Sequence, residues 1–517
     1  MKRIISFALF TLLTVAPHTV IAKGTQTYTI TDRTCQTIDG FGASDAWSMW
    51  KAEWWGDSLC NRIADWLFSQ ELDEKGNPRG IGLSIWRFNA GAGSASQGND
   101  AQINRDTRTE YYDKQTGQRK FLRMAKERGV PTILAFFNTP PVSMTINGLG
   151  TNTGRGGTMN LREDAYDDFA RYAADMVETI KREDGVQIDY LCPVNEPDGS
   201  WNWQGPKQEG TPATNREVAR IAREMGGEFA RRGLSTQIII NESSDFRCML
   251  GIHDTDWQRG NEIECFWNPD STATYMGTTA NVAKIMAGHS YWTNTPVLRP
   301  KDKGYKKKGL YGYRHRIGEA LKAKGVKFWM SELCIMQNDT EIGGGTPYDF
   351  TMKTALYVAR VMHYDLTVAN ASSWQWWRAL GGNYRDGLLK EERSRREGSR
   401  RESNRTVVKD SKLLWTIGNF SRFVRPGAVR LAVEGGDNDP YGVMLSAYRN
   451  ADNSIVIVAI NYSDKDQEVG LEGIPGTTTL SLYRTSDEEG ENIKFIGNTN
   501  TKKVNLKARS VTTLKYN

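Results

Sequence analysis

Histidine and cysteine are scarce in this chain, with five and six respectively among 517 residues. Six cysteines over that length are too few for a disulfide framework. Cys248 and Cys265 flank one loop and are placed to pair, whereas Cys192 and Cys334 fall inside apolar, strand-like runs and read as small buried hydrophobes. There is no His-Glu-x-x-His, no paired Cys-x-x-Cys and no carboxylate loop with calcium spacing, so neither a metal nor another cofactor is expected. Proline is also low at 16, while 50 glycines supply turns without a disordered composition.

Long hydrophobic runs are missing too. The single candidate, Ile4 to Val15, is cut short by Pro17 and His18, below the roughly 18 residues a span requires. Met1-Lys2-Arg3 before it and Val20-Ile21-Ala22 after it make residues 1–22 a secretory signal, with no cysteine following to carry a lipid. The protein is therefore expected to be secreted or periplasmic, without a membrane span and as a monomer. Nor does one sign of charge dominate. Of the net +6, Lys2 and Arg3 supply two, and two stretches more than account for the rest, leaving the remainder about neutral to slightly acidic. Residues 299–308 carry six positive charges and one negative, and residues 390–405 carry seven and four. A chain otherwise near neutral is not built for nucleic acid.

Aromatic rings are plentiful, with 16 tryptophans and 20 tyrosines. So is a repeating grammar. Short β-rich runs at Ile38 to Ser44, Ile81 to Ala90, Pro131 to Pro140, Ile188 to Pro197, Gln237 to Asp245, Met286 to Trp292, Lys327 to Cys334 and Ala371 to Trp377 alternate with amphipathic stretches. The clearest of these are Arg162 to Arg182, Asn215 to Arg232, Tyr313 to Lys324 and Asp349 to Tyr364. Eight strand–helix units predict an α/β fold, a (β/α)8 TIM barrel over residues 38–424, rather than an open sheet. No Gly-x-Gly-x-x-Gly follows the first strand. From about Pro426 turn-separated strands take over, predicting a C-terminal β-sandwich over residues 425–517. Thr25 to Thr31 alternates in the same way, and residues 24–37 are expected to add an N-terminal strand to it.

In such barrels chemistry sits at the C-terminal ends of the strands. Two of those ends carry a glutamate among residues suited to orient it: Pro193-Val194-Asn195-Glu196-Pro197 after strand four and Trp329-Met330-Ser331-Glu332-Leu333 after strand seven. Strands four and seven face each other across the lumen. Glycoside cleavage needs such a pair, one carboxyl protonated to release the leaving oxygen and the other charged to attack. Each glutamate alone would equally serve as a strand-end ion pair or a helix cap. Asp45, Glu242 and Asp245 also end strands, where capping suits them, and Glu242 is placed to support the pair from behind.

The wider pattern resembles glycoside hydrolase family 30, within the clan A retaining glycosidases. It is carried by Ile38-Asp39-Gly40-Phe41-Gly42-Ala43-Ser44, Leu83-Ser84-Ile85-Trp86-Arg87-Phe88-Asn89, Asn138-Thr139-Pro140-Pro141, Asn195-Glu196-Pro197, His289-Ser290-Tyr291-Trp292, Ser331-Glu332 and Ser373-Trp374-Gln375-Trp376-Trp377. The resemblance implies Glu196 as acid/base and Glu332 as nucleophile in a double displacement. It further implies Arg87, Asn195 and Tyr291 as donors near Glu332 or the sugar, and Asn138 as a substrate contact. Arg87 also fits a structural ion pair, and His289 is either a substrate donor or a satisfied core histidine. Trp47, Trp201, Trp203, Trp292, Trp374 and Trp376 lie near strand ends, where rings can floor sugar subsites, with Trp292 and Trp374 the first choices. The partner is thus a polysaccharide or oligosaccharide. Local motifs look most like endo-β-1,6-galactanases. The alternatives are a β-1,6-glucanase, a glucosylceramidase-like β-glucosidase, a xylanase or, in another class, a non-catalytic glycan-binding protein.

Overall fold

The computed structural model describes residues 25–516 except 204, 252–257, 337, 394–405, 437, 475–478 and 501, so residues 1–22, expected from the sequence to be a signal, lie outside the described residues. Strand β1 (Gln26–Thr37) leads into β2 (Gly40–Ser44), β3 (Ile85–Ala90), β4 (Thr132–Phe137), β5 (Tyr190–Cys192), β6 (Gln237–Ile238), β7 (Glu242–Ser243), β8 (Ile285–His289), β9 (Lys327–Glu332) and β10 (Ala371–Gly381). Strands β2 to β10 pair in parallel in the order β6-β5-β4-β3-β2-β10-β9-β8-β7. β6 and β7 are two pieces of the fifth barrel strand. Between them Ile239 N–H still donates to Leu191 O, and Glu242 N–H to Val194 O, while Ile238 bridges Val282 ahead of β8. The ring thereby closes, and the (β/α)8 reading holds.

Helices α1 (Asp57–Phe68), α2 (Thr116–Glu127), α3 (Tyr166–Asp184), α4 (Asn215–Arg232), α5 (Phe246–Leu250), α6 (Glu262–Trp267), α7 (Gly309–Lys324), α8 (Met352–Thr367) and α9 (Lys412–Ser421) accompany the strands. α4 shows why such helices form where they do. The Thr214 hydroxyl and Glu217 carboxylate close a capping box, Val218, Ile221, Ala222, Met225 and Phe229 bury one face, and Gly233 ends the helix at φ +68°. Beyond β10, β11 (Gly387–Arg393) pairs with it and β12 (Thr406–Lys409) pairs back on β11, so the basic stretch 390–405 begins as a strand. Its remainder, 394–405, lies outside the described residues. No helix among the described residues is long and apolar enough to cross a membrane.

The second domain holds β13 (Val429–Gly435), β14 (Val443–Arg449), β15 (Ile455–Asn461), β16 (Gln467–Glu472), β17 (Leu480–Thr485), β18 (Lys494–Thr499), β19 (Lys503–Leu506) and β20 (Ser510–Tyr516). β1 lies between β13 and β16 in this nine-stranded sheet, so both chain ends build it. Strand alternation divides the side chains between two cores. In β15, Val456, Val458 and Ile460 join the cluster that includes the barrel, while Ile457 and Ala459 join one inside the sandwich. All six cysteines are free. The expected Cys248–Cys265 pair is corrected accordingly: Cys248 is buried on α5, and Cys265 Sγ on α6 accepts instead from Asn215 Nδ2 at 3.1 Å.

Candidate active site

Glu196 follows β5 with its backbone in the left-handed region, φ +51°. That conformation costs a non-glycine residue on the order of 1 kcal/mol. Here Glu196 N–H donates to Glu242 O at 2.7 Å and its carbonyl accepts from Trp201 Nε1 at 2.8 Å, which fix the turn and aim the carboxyl over the lumen. Glu332 is the last residue of β9. Arg87 Nη1 donates to its Oε2 at 2.6 Å and the Tyr291 hydroxyl to its Oε1 at 3.0 Å. His289 Nδ1 sits between the two glutamates, 2.8 Å from Glu196 Oε1 and 3.7 Å from Glu332 Oε1. One carboxylate oxygen of each glutamate lies within 4.8 Å of the other.

Glu242 supports this group from beneath. Fully buried, it places Oε2 3.0 Å from Arg87 Nη2 and 3.5 Å from His289 Nε2. Arg87 Nη2 also donates to Asn195 Oδ1 at 3.0 Å, and Asn195 Nδ2 donates to Asn138 Oδ1 at 3.2 Å. The guanidinium lies 3.6 Å from the Phe136 ring centroid and 5.3 Å from that of Trp377. The structure therefore brings Arg87, Asn138, Asn195, Glu196, His289, Tyr291 and Glu332 into one hydrogen-bonded constellation.

The electrostatics assign different states to neighbouring groups. Burial pushes the Glu196 carboxyl up to about 7, against the hydrogen bond and charge of His289 and with added repulsion from Glu332. Burial would raise Glu242 as well, but Arg87 and His289 outweigh it and hold that carboxyl at about 2. His289 loses water too, yet Glu332, Glu196 and Glu242 together raise it to about 10. Glu196, His289 and Glu332 also have the atom types of a metal site, with one ligand atom of each within 4.8 Å of the others.

Trp292 extends from the mouth beside Tyr291, 47% exposed and at φ +57°. Trp292→Ala is expected to raise KM about three- to tenfold while leaving kcat and Tm nearly unchanged, because an exposed ring contributes contact rather than packing. Michaelis kinetics beside a melting curve check this. Trp374 requires correction. It is fully buried, its Nε1 donates to Asp365 Oδ2 on α8 at 2.9 Å, and it does not face substrate. Trp376, also fully buried, donates to Asp386 O. Side chains alternate along β10, so the ring that reaches the lumen is Trp377, which the sequence reading passed over. Strand parity, counted outward from either buried indole, would have found it. Trp377 in turn meets Trp47 edge-on at 5.1 Å, and Trp47 begins a cavity of about 350 Å3 lined further by Lys51, Arg378, Tyr384 and Glu391. Asp45 and Asp245 are structural: Asp45 accepts from Asn89 N–H, and Asp245 caps α5.

A closed parallel barrel with an aromatic-lined mouth, a glutamic acid titrating near neutrality and a second glutamate within reach defines an O-glycosyl hydrolase. Residues 25–390 match the model of O-Glycosyl hydrolase family 30, and residues 427–514 that of the Glycosyl hydrolase family 30 beta sandwich domain. The chain belongs to glycoside hydrolase family 30. It is 22% identical to an endo-beta-1,6-galactanase of Hypocrea rufa over 91% of this chain and 90% of that protein. It is 26% identical to a glucuronoxylanase of Bacillus subtilis over 68% and 66%. Among solved structures, a conserved exported protein from Bacteroides fragilis is 33% identical, with a TM-score of 0.85 over 95% of this chain and all of that one.

Proposed function

We propose that the protein is a retaining endo-β-1,6-galactanase. The observation that carries the mechanism is the approach of the Glu196 and Glu332 carboxylates to within 4.8 Å. That is the spacing of a nucleophile and an acid acting on one anomeric carbon, with too little room for the water an inverting pair would place between them. Glu332 attacks the anomeric carbon as Glu196 delivers its proton to the glycosidic oxygen. Water deprotonated by Glu196 then displaces Glu332 and restores the original configuration. Arg87 and Tyr291 hold the two Glu332 oxygens in one orientation throughout.

The preference for galactan rests on likeness to the Hypocrea rufa enzyme along nearly the whole chain. The glucuronoxylanase match supports a second reading, a xylanase, over a shorter span. Incubation with β-1,6-galactan, β-1,6-glucan and glucuronoxylan, with products resolved by length and anomer, separates these. Short β-configured galacto-oligosaccharides are expected; release from xylan alone would replace the substrate assignment, and initial α-products would remove the mechanism. The signal-like residues 1–22 and the exported Bacteroides relative support action outside the cytoplasm.

A further inference from the structure

A second cavity, of about 310 Å3, lies at the seam between barrel and sandwich and shares no residue with the catalytic group. Its size is at the lower end of small-molecule sites, about 300–1,000 Å3. His363 and Tyr364 of α8, Arg430 of β13, Arg33 of β1, and Tyr305 and Tyr311 contribute to its walls.

Arg430 is the residue the fold leaves unexplained. It is 8% exposed, and its bonds run to neutral amides: Nε to Gln36 Oε1 and Nη2 to Asn370 Oδ1, both at 2.8 Å. Among the described residues no carboxylate lies within ion-pair distance of it. The other buried arginines, Arg87, Arg119, Arg314 and Arg360, each pair with one. A buried cation without a countercharge is costly unless an anion joins it. His363 borders the same space at 5% exposure, and its Nδ1 has no hydrogen-bond partner. Burial and the nearby Arg430 hold that imidazole down at about 3, so it stays neutral and suited to a hydroxyl.

The remaining walls suit a ring. Tyr305 and Tyr311 stack with centroids 4.0 Å apart, and His315 stacks on Tyr311 as well at 5.4 Å, so Tyr311 backs the ring face that Tyr305 brings to the cavity wall. Tyr305 belongs to the basic stretch 299–308, whose Arg299 is tied to Asp439 of the second domain at 3.1 Å. Lys301, Lys303, Lys306, Lys307 and Lys308 form no ion pair among the described residues, which leaves a positive field beside the cavity.

We propose that this seam cavity binds a small carboxylate carried on a hydroxylated ring of hexose size, with the carboxylate on Arg430 and a hydroxyl on His363. The probe is sodium glucuronate titrated calorimetrically into the full chain, with glucose and inorganic phosphate as parallel arms. Saturable glucuronate binding is expected, weakened at least about tenfold by Arg430→Gln and by Tyr311→Ala, with glycan hydrolysis unchanged in Tyr311→Ala. Tyr311→Ala carries the test should Arg430→Gln fail to fold. Silence with glucuronate, or binding that neither variant weakens, overturns the site. Equal binding of glucose overturns the role of Arg430, and equal binding of phosphate overturns the sugar ring.

Discussion

Glu332→Gln should lower kcat on glycans by about 10^4-fold or more while leaving glycan binding measurable. The substitution keeps the volume and the carbonyl oxygen that accepts from Arg87 Nη1, and removes the negative charge that must attack the anomeric carbon. Tyr291 sits 3.0 Å from the other Glu332 oxygen and can turn its hydroxyl to accept from the new amide, so the barrel mouth should survive. The loss of charge leaves Arg87 with Glu242 as its remaining carboxylate, a destabilisation of about 1–3 kcal/mol visible in a denaturant midpoint. Chemistry separates this variant from one merely weakened. With the smaller Glu332→Ala and an activated aryl glycoside, azide can occupy the emptied side of the sugar and attack there, giving an α-glycosyl azide. Hydrolysis persisting in Glu332→Gln would remove Glu332 from the mechanism. Loss of binding together with hydrolysis would make it a structural residue.

The fold was legible in the chain wherever one physical signal dominated. Barrel strands buried on both faces write themselves as continuous apolar runs, and β4, Thr132–Phe137, is such a run. Amphipathic helices with caps are as plain, and α4 begins and ends at Asn215 and Arg232 in sequence and structure alike. In the second domain β16 and β19 alternate over only two apolar residues each, Val469 with Leu471 and Val504 with Leu506, and Lys494–Thr499 of β18 buries almost nothing, so the period is too short to mark these strands in sequence. Their pairing is decided by neighbours distant in sequence, as when β16 finds β1 some 440 residues away. Within the site, the two glutamates were legible because their positions at strand ends are local facts. The task of Glu242 was only half legible. Its strand is interrupted, and whether it caps, faces solvent or reaches both Arg87 and His289 depends on ring closure. Trp374 misled for a simpler reason, since one step along β10 exchanges the lumen for the α8 face.

Glu196→Ala should lower kcat on natural glycans by about 10^2- to 10^4-fold, yet far less on aryl glycosides whose leaving group departs without a proton. The contrast follows from what the residue contributes, a proton to the leaving oxygen. Its carboxyl is raised to about 7, so the acid form is present below that pH and is lost as pH rises through it. Cleavage of natural glycans by the intact protein should therefore decline above about pH 7, and that decline should vanish in Glu196→Ala, as a profile of kcat/KM against pH would show. A decline that persisted unchanged would assign the limb to another group. His289 is a poor alternative, because its imidazole is raised to about 10. Azide should again restore turnover of aryl glycosides, now attacking the glycosyl–Glu332 ester and giving the β-azide, opposite to the product from Glu332→Ala. The same geometry explains how one carboxyl serves as acid and then as base. Repulsion from Glu332 is among the forces that raise Glu196, and it disappears once Glu332 is esterified. Glu196 has by then given up its proton, and its value falls toward the ordinary carboxylate range, which keeps it charged to accept a proton from the attacking water.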